Sequence, residues 1–498
     1  MELMSSSADA ISHRTVSAAV YRRFSSRNNV LQIYFRAYRP FRGGIRMSIR
    51  PFPLCLILLC AGSLFVPPVS ADDWTQLQHD QYRTGRSFDS AGHATNTIAS
   101  WTGGSLADGM QCIIASTRVY VGTMGGSVVC IDGNNATQLW SRSGDGSPIV
   151  APGCSAAGKV FFGNLNGKCY VLDAVTGAVL NTIITGGALS GAMCTDGAIV
   201  CFGSHDGHAY AVSAQTGQLL WKSPNLGAQV IQAGAMDHEA FYVGAENMMF
   251  YKLALADGSI MRSVHVQGQS FQSVWPVIHS SFVFVEASAI PCKGSEWCGE
   301  VVVATATSFQ NEQDLWLFWM STQSAVLFDA SPDWKHFTTL RRSDFTEPYV
   351  AVVPPHEGCG EPPEPPVVDT QGRLLTYYKT KYPTFINDRG VFGTNYSLDI
   401  MEIDVATGRR IQVNASNPSP INNFEAQQTD NAFGMTVGGD FLYMRNGWFG
   451  TWSVSFANGA VRSVPAGGGG SWRSARVAPA VANNKLYVNY NGGVRINN

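Results

Sequence analysis

Val119-Tyr-Val-Gly122, Val160-Phe-Phe-Gly163, Val200-Cys-Phe-Gly203 and Phe241-Tyr-Val-Gly244 are four copies of one apolar run closed by glycine, at spacings of 41, 40 and 41 residues. A second run follows each glycine, as in Gly126-Ser-Val-Val-Cys-Ile-Asp132, Gly167-Lys-Cys-Tyr-Val-Leu-Asp173 and Gly207-His-Ala-Tyr-Ala-Val-Ser213. Then come the turns Val175-Thr-Gly177, Gln215-Thr-Gly217 and Ala256-Asp-Gly258, and a further strand ending near Trp140 or Trp221. β-branched and aromatic residues suit strands, and glycine supplies the positive φ of the tight turns between them. A unit of about 40 residues built this way is one four-stranded blade of a β-propeller. One blade cannot bury both its faces, so the repeats over 117–262 must stack around an axis.

The composition agrees. Of 498 residues, 45% are hydrophobic, 14% are charged and 51 are glycine, with a formal net charge of -2. That suits an all-β protein with many turns. Nucleic acid is excluded as a partner, because neutralising phosphates takes clustered Lys and Arg, and no such run follows residue 71.

Residues 47–71 read as a signal peptide. Met47-Ser-Ile-Arg50 is followed by an apolar run from Leu54 to Val66 and by Val69-Ser-Ala71, before Asp72-Asp-Trp74. A basic start, an apolar core too short to span a bilayer comfortably and small residues at the end predict cleavage after Ala71. The expected location is therefore exported, periplasmic or extracellular, with no transmembrane span in the mature chain. Residues 1–46, basic and rich in Ser and Arg, form a leader that resembles a transit peptide or lies ahead of the true start at Met47. Lipid anchoring at Cys60 is disfavoured by the bulky Leu59 before it.

Nine cysteines follow Ala71. Cys112, Cys130, Cys154, Cys169, Cys194 and Cys201 fall on or beside expected strands, where a thiol can serve as a small hydrophobe. Cys292 and Cys298 share a loop and form the candidate disulfide. No paired Cys-x-x-Cys and no spaced His cluster indicates a metal, so none is expected.

Between Asp72 and the repeats lies a lead-in from Trp74 to Arg86. Trp74, Arg83-Thr-Gly85, Gly122, Asp206-Gly207, Val171-Leu-Asp173, Thr216-Gly217 and Trp221 together resemble the pyrroloquinoline quinone (PQQ)-like β-propeller repeat proteins of bacteria. The resemblance is good over 117–262, partial over 366–498 and poor between about 286 and 366. It includes a similarity to the propeller subunit of the outer-membrane β-barrel assembly machinery. It also implies that Trp140 and Trp221, at one repeat position, dock adjacent blades rather than bind a ligand.

With that template the later blades follow. Phe271 to Glu286 starts one whose second half is interrupted. Asp369 to Gly408 makes a blade with a lengthened loop, Gly439 to Gly459 another, and Lys485-Leu-Tyr-Val-Asn-Tyr490 with Gly492-Gly-Val-Arg-Ile496 a last one, whose outer strand the lead-in could supply. Eight units of about 41 residues occupy roughly 330 of the residues after Ala71, and the surplus of about 100 fits the interruption and the lead-in. Seven blades, the alternative, leave too much chain unplaced. The expectation is a single propeller over 72–498, most simply a monomer, with an insertion at about 287–365.

That insertion holds the stiff, proline-rich Pro354-Pro-His-Glu-Gly-Cys-Gly-Glu-Pro-Pro-Glu-Pro-Pro366. Such an insertion suits a partner contact or merely covers an edge. Three donors in one loop, His356, Glu357 and Cys359, make a poor metal site.

Two functions are compatible with this reading. In the first, an exported non-catalytic propeller acts as a scaffold for a protein partner or a cell-surface polymer, with no cofactor. In the second, a PQQ-dependent oxidoreductase of alcohols or sugars holds the quinone with calcium in the central channel. The resemblance implies for such enzymes an adjacent cysteine pair, calcium ligands and an aspartate base. No adjacent cysteines occur here, and no Ser-His-Asp order, phosphate loop or metal triad is recognisable, so no catalytic residue is assigned. Asp132, Asp173 and Asp404 read as turn residues instead.

Overall fold

In blade one, Ile113–Ala115, Arg118–Gly122, Ser127–Asp132 and Gln138–Ser143 pair in order as an antiparallel sheet, and the same meander recurs around the chain. The computed structural model describes residues 72–107, 109–266, 270–271, 274–287, 336–348, 350–352, 365–385, 392–408, 410–412, 434–446, 450–465, 478–490 and 492–498. They form eight sheets, all four-stranded except one that gains a fifth strand, arranged as an eight-bladed β-propeller; no helix occurs among the described residues. The leader 1–46, the signal segment 47–71, Cys292 with Cys298, and His356, Glu357 and Cys359 lie outside them.

The first strands of blades one to five, and those of blades six to eight, stand side by side around the axis, and those of blades one and eight meet. Each fourth strand lies at the rim. Blades one to four follow the repeat closely because their glycine position is crowded from outside: a Cβ on Gly122 would meet Ile149 Cγ2 at 2.2 Å, and Gly163, Gly203 and Gly244 face Leu189, Val230 and Phe271 in the same way. Strand register puts Glu286, Tyr377, Arg445 and Asn489 at that position in blades five to eight. This loss of the glycine is one reason the repeat fades there.

The interrupted blade is completed across the insertion. Val277–His279 and Phe282–Val285 pair with His336–Arg341, which pairs in turn with Val350–Val352. The stretch 287–365 thus contains two blade strands besides inserted chain. Blade six is extended by a long hairpin, Leu374–Phe385 against Phe392–Ile403.

The ring closes at blade eight. Its outer strand is Thr97–Trp101, which pairs with Gly493–Asn497 in the register Trp101↔Val494 to Thr97↔Asn497. An N-terminal strand therefore seals the C-terminal blade, but it comes from downstream of Trp74–Arg86. Those residues go elsewhere.

Trp140 Nε1 donates to the Ala174 carbonyl of blade two at 3.3 Å, and Trp221 Nε1 donates to the Leu255 carbonyl of blade four at 2.7 Å. Each ring covers the turn glycine of the next blade, Gly177 or Gly258. Trp101 holds the corresponding place in blade eight, with Nε1 donating to Gln138 of blade one at 3.3 Å. Its spacing of 39 residues from Trp140 is the signal that could have revealed it. At the turns, Asp132 accepts the Asn134 N–H, Asp173 those of Val175 and Thr176, and Asp404 that of Ala406.

Candidate functional site

The axis is the natural place for a ligand in a propeller, and each first strand turns one edge toward it. An unpaired strand edge presents N–H and C=O groups that must find partners. One repeat position supplies the inward N–H in seven blades: Ile114, Ser155, Thr195, Met236, Ile278, Val368 and Val437.

The lead-in supplies the acceptors, and it does so in chain order. The carbonyls of Trp74 and Thr75 accept from Ile114 and Ser155, both at 2.8 Å, and Gln76 Oε1 accepts from Thr195 at 2.8 Å. The carbonyls of Gln81, Tyr82, Thr84 and Gly85 then accept from Met236, Ile278, Val368 and Val437 at 2.7–2.9 Å. Finally Arg86–Ser87 runs parallel to Gly434–Gly438 as the fifth strand of blade seven. Residues 74–87 thus make one circuit of the axis, bonding blade after blade.

Such a circuit needs a tightly coiled backbone. Gln78, His79, Arg83 and Gly85 all have positive φ, between 55° and 73°. At Gly85 a Cβ would also lie 2.7 Å from Gln78 Oε1 and 2.9 Å from Val367 Cγ1, so glycine is needed on both counts. The three non-glycine residues carry strain that the surrounding bonds must offset.

Arg83 is the centre of this hub. It is fully buried, and its guanidinium donates to three backbone carbonyls: Leu77 at 2.7 Å, Met193 at 2.9 Å and Gly234 at 2.9 Å. It ties the lead-in to blades three and four. The planar fork of arginine can serve three acceptors at once, which a lysine ammonium on a flexible stem does less well. Trp74, also fully buried, donates through Nε1 to Gln111 Oε1 at 2.8 Å; the same oxygen accepts the Gln78 N–H, while Gln111 Nε2 donates to Ala478 ahead of blade eight. Gln111 thereby links the one blade that the circuit of carbonyls does not reach.

Beside the hub, His79 stands 3.1 Å from Asp72 and 3.8 Å from Asp80. Burial alone would lower its pKa, but the two carboxylates outweigh burial and raise it to about 9. The imidazole is therefore a cation at neutral pH. For Asp72, burial works upward, yet the His79 bond and charge and the Phe88 N–H hold the carboxyl below its ordinary range.

Arg83, Thr84 and Gly85 were visible in the sequence as a motif, but not their place on the axis; Gln76, Gln78 and Gln111 gave no signal. The six described cysteines are free and buried. Desolvation pushes the Cys112 and Cys130 thiols up to about 12, so they are inert packing groups. No group of three or more His, Cys, Asp or Glu able to hold a metal occurs among the described residues. No helix among them is long and apolar enough to cross a membrane.

The fold and its 40-residue repeats define the class: an eight-bladed propeller of PQQ-like repeats. Residues 137–274 match the family model of the outer membrane protein assembly factor BamB. No curated protein matches the chain. Among solved structures, a quinohemoprotein alcohol dehydrogenase from Comamonas testosteroni is similar at 12% identity and TM-score 0.54, over 86% of this chain and 80% of that one. The computationally designed Ika8 protein is similar at 13% identity and TM-score 0.50, over 82% of this chain and 99% of its own. BamB from Moraxella catarrhalis superposes at 12% identity and TM-score 0.37 over 79% and 81% of the two chains, too loosely to support an argument. At these identities the likeness establishes the fold alone, and fold does not dictate chemistry.

Proposed function

We propose that this chain is an exported, non-catalytic propeller that acts as a scaffold, presenting its loops and blade edges to a protein partner or a cell-surface polymer. One observation carries the reading: the inward N–H row of seven blades is taken by the chain's own residues 74–87. A quinone on the axis at that level would compete with the lead-in for the same donors. The residues described there do not fit such a group: Arg83 is fully buried and bonded to backbone carbonyls, and the chain has no adjacent cysteines. The match of 137–274 to a family named as an assembly factor favours a protein partner and an envelope location.

The test has two arms. Purified processed protein mixed with PQQ and Ca²⁺ should bind no stoichiometric quinone and reduce no dye with alcohols or sugars; turnover with bound quinone would overturn the reading. In the second arm, residues 288–335, between the second and third strands of blade five, are deleted so that His336–Arg341 and Val350–Val352 remain. Loss of a co-purifying partner with the ring intact would place the contact on that insertion.

A further inference from the structure

Asp72 stands two residues ahead of the lead-in, and its backbone nitrogen and carboxylate are both engaged. Its backbone nitrogen lies 3.1 Å from Asp89 Oδ2. Its carboxylate accepts from Ser87 Oγ at 3.2 Å and the Phe88 N–H at 3.0 Å, and pairs with His79 Nε2 at 3.1 Å. The next residue is fastened too, as Asp73 Oδ1 accepts the Ser116 N–H at 2.6 Å. The two residues just ahead of the lead-in are thus fastened to the fold.

The charge around that nitrogen is unbalanced. The carboxylates of Asp72, Asp73 and Asp89 gather there, with Asp80 beyond His79, and the cation facing them is the His79 imidazolium. Arg86 does not help: its guanidinium stacks on the Phe88 ring, 5.1 Å away, and donates to the Asp369 carbonyl. Burial, and after it the crowding by Asp72 and Asp89, push the Asp73 carboxyl above its ordinary value. A neutral amide N–H at Asp72 leaves this excess of negative charge standing. An α-ammonium in the same place would offset it.

We propose that hydrolysis of the Ala71–Asp72 peptide bond makes Asp72 the first residue of the working protein, and that its new α-ammonium locks the lead-in through an ion pair with Asp89. This rests on the export reading above, with Val69-Ser-Ala71 recognised by a leader peptidase. Water adds across the C–N bond: Ala71 leaves with the leader as a carboxylate, and Asp72 keeps the amine, which takes a proton at neutral pH. No rearrangement is needed, because the nitrogen already stands at ion-pair distance from Asp89 Oδ2. The contact, already an amide N–H on a carboxylate, gains a full positive charge on the donor and becomes an ion pair. The same segment goes on to bond seven blades, so the ion pair fastens the free end of a hub that is already in place.

The full chain is produced in a Gram-negative host, and the N-terminus of the purified protein is read by sequencing and intact mass. The expected first residue is Asp72; any other start overturns the cleavage and, with it, export through this leader. On protein that starts at Asp72, the rate of α-amine acylation near neutral pH is compared with that of the Asp89→Asn and Asp89→Glu forms. An ion pair that raises the amine by about one pKa unit makes acylation about tenfold slower in the unaltered protein than in D89N, with D89E restoring most of the protection. Equal rates overturn the ion pair while leaving the cleavage standing. Should D89N not fold, an ¹⁵N titration of the unaltered amine decides: a value in the ordinary range of about 7.7–8.0 overturns the pair.

Discussion

In blades one to four the glycine-closed strand recurs every 40 or 41 residues, whereas the lead-in 74–87 has no periodicity and bonds seven blades within a single short run. The two regions satisfy the same physical demand differently. A blade pairs its strands with neighbours a few residues away and packs its faces against adjacent blades. The axis cannot be treated that way, because every first strand leaves one edge open there, and only a segment that visits each blade can close them all. A residue in a blade is therefore backed by its equivalents in other blades, while a residue in the lead-in has no substitute.

That contrast is open to test, beginning with the largest expected effect. Arg83→Met should cost the most, because it leaves three buried carbonyls without donors at about 1–3 kcal/mol each, or roughly 3–9 kcal/mol in all. The measurement is the urea midpoint; a loss below about 1 kcal/mol would mean the hub is dispensable. Arg83→Lys should recover only part of it.

Among the blades, Trp221→Ala should cost about 3 kcal/mol, as expected for a buried aromatic. Trp140→Ala at the same repeat position should cost about half as much, because Trp140 is only half-buried and its bond is longer, 3.3 Å against 2.7 Å. Equal losses would show that repeat position, not local burial, sets the energy. Gly122→Ala should follow at about 1–3 kcal/mol, since its Cβ would overlap Ile149 and force that side chain or its backbone aside.

The last effect is electrostatic and is read as a change in pH dependence. With its pKa raised to about 9, His79 contributes stability that is fully present below about pH 6.5, where the unfolded imidazole is also protonated, and that is lost as pH rises through about 9. Asp72, held below its ordinary range, behaves oppositely: its contribution is present above about pH 3.9 and is lost as pH falls. The difference in melting temperature between the unaltered protein and His79→Gln should therefore be greatest between about pH 4 and 6.5 and fade toward alkaline pH. A difference independent of pH would mean that His79 acts by packing alone.

How far the sequence could be read tracks the range of the interactions involved. The glycine-closed runs from Gly122 to Gly244, the turn aspartates and the blade beginning at Phe271 were all legible, because each is encoded by neighbours within one repeat. The third strand of that blade, His336–Arg341, was not, because inserted chain separates it from Phe282–Val285 and nothing local marks the pairing. The sealing strand was expected from the lead-in Trp74–Arg86, but it is Thr97–Trp101, whose register against Gly493–Asn497 joins opposite ends of the chain. In the lead-in, Arg83 and Gly85 stood out as residue types, but a buried arginine bonded to carbonyls of blades three and four leaves no pattern in a linear reading.

The sequence by itself determined the blade: its length, its strands and turns, and the requirement that copies stack, since alternation and turn chemistry act over a few residues. Only the tertiary structure decided which strand closes the ring, how blade five is completed and that residues 74–87 occupy the axis. Those outcomes depend on where eight strand edges converge in space, and edges brought together by ring closure belong to residues that no local rule connects.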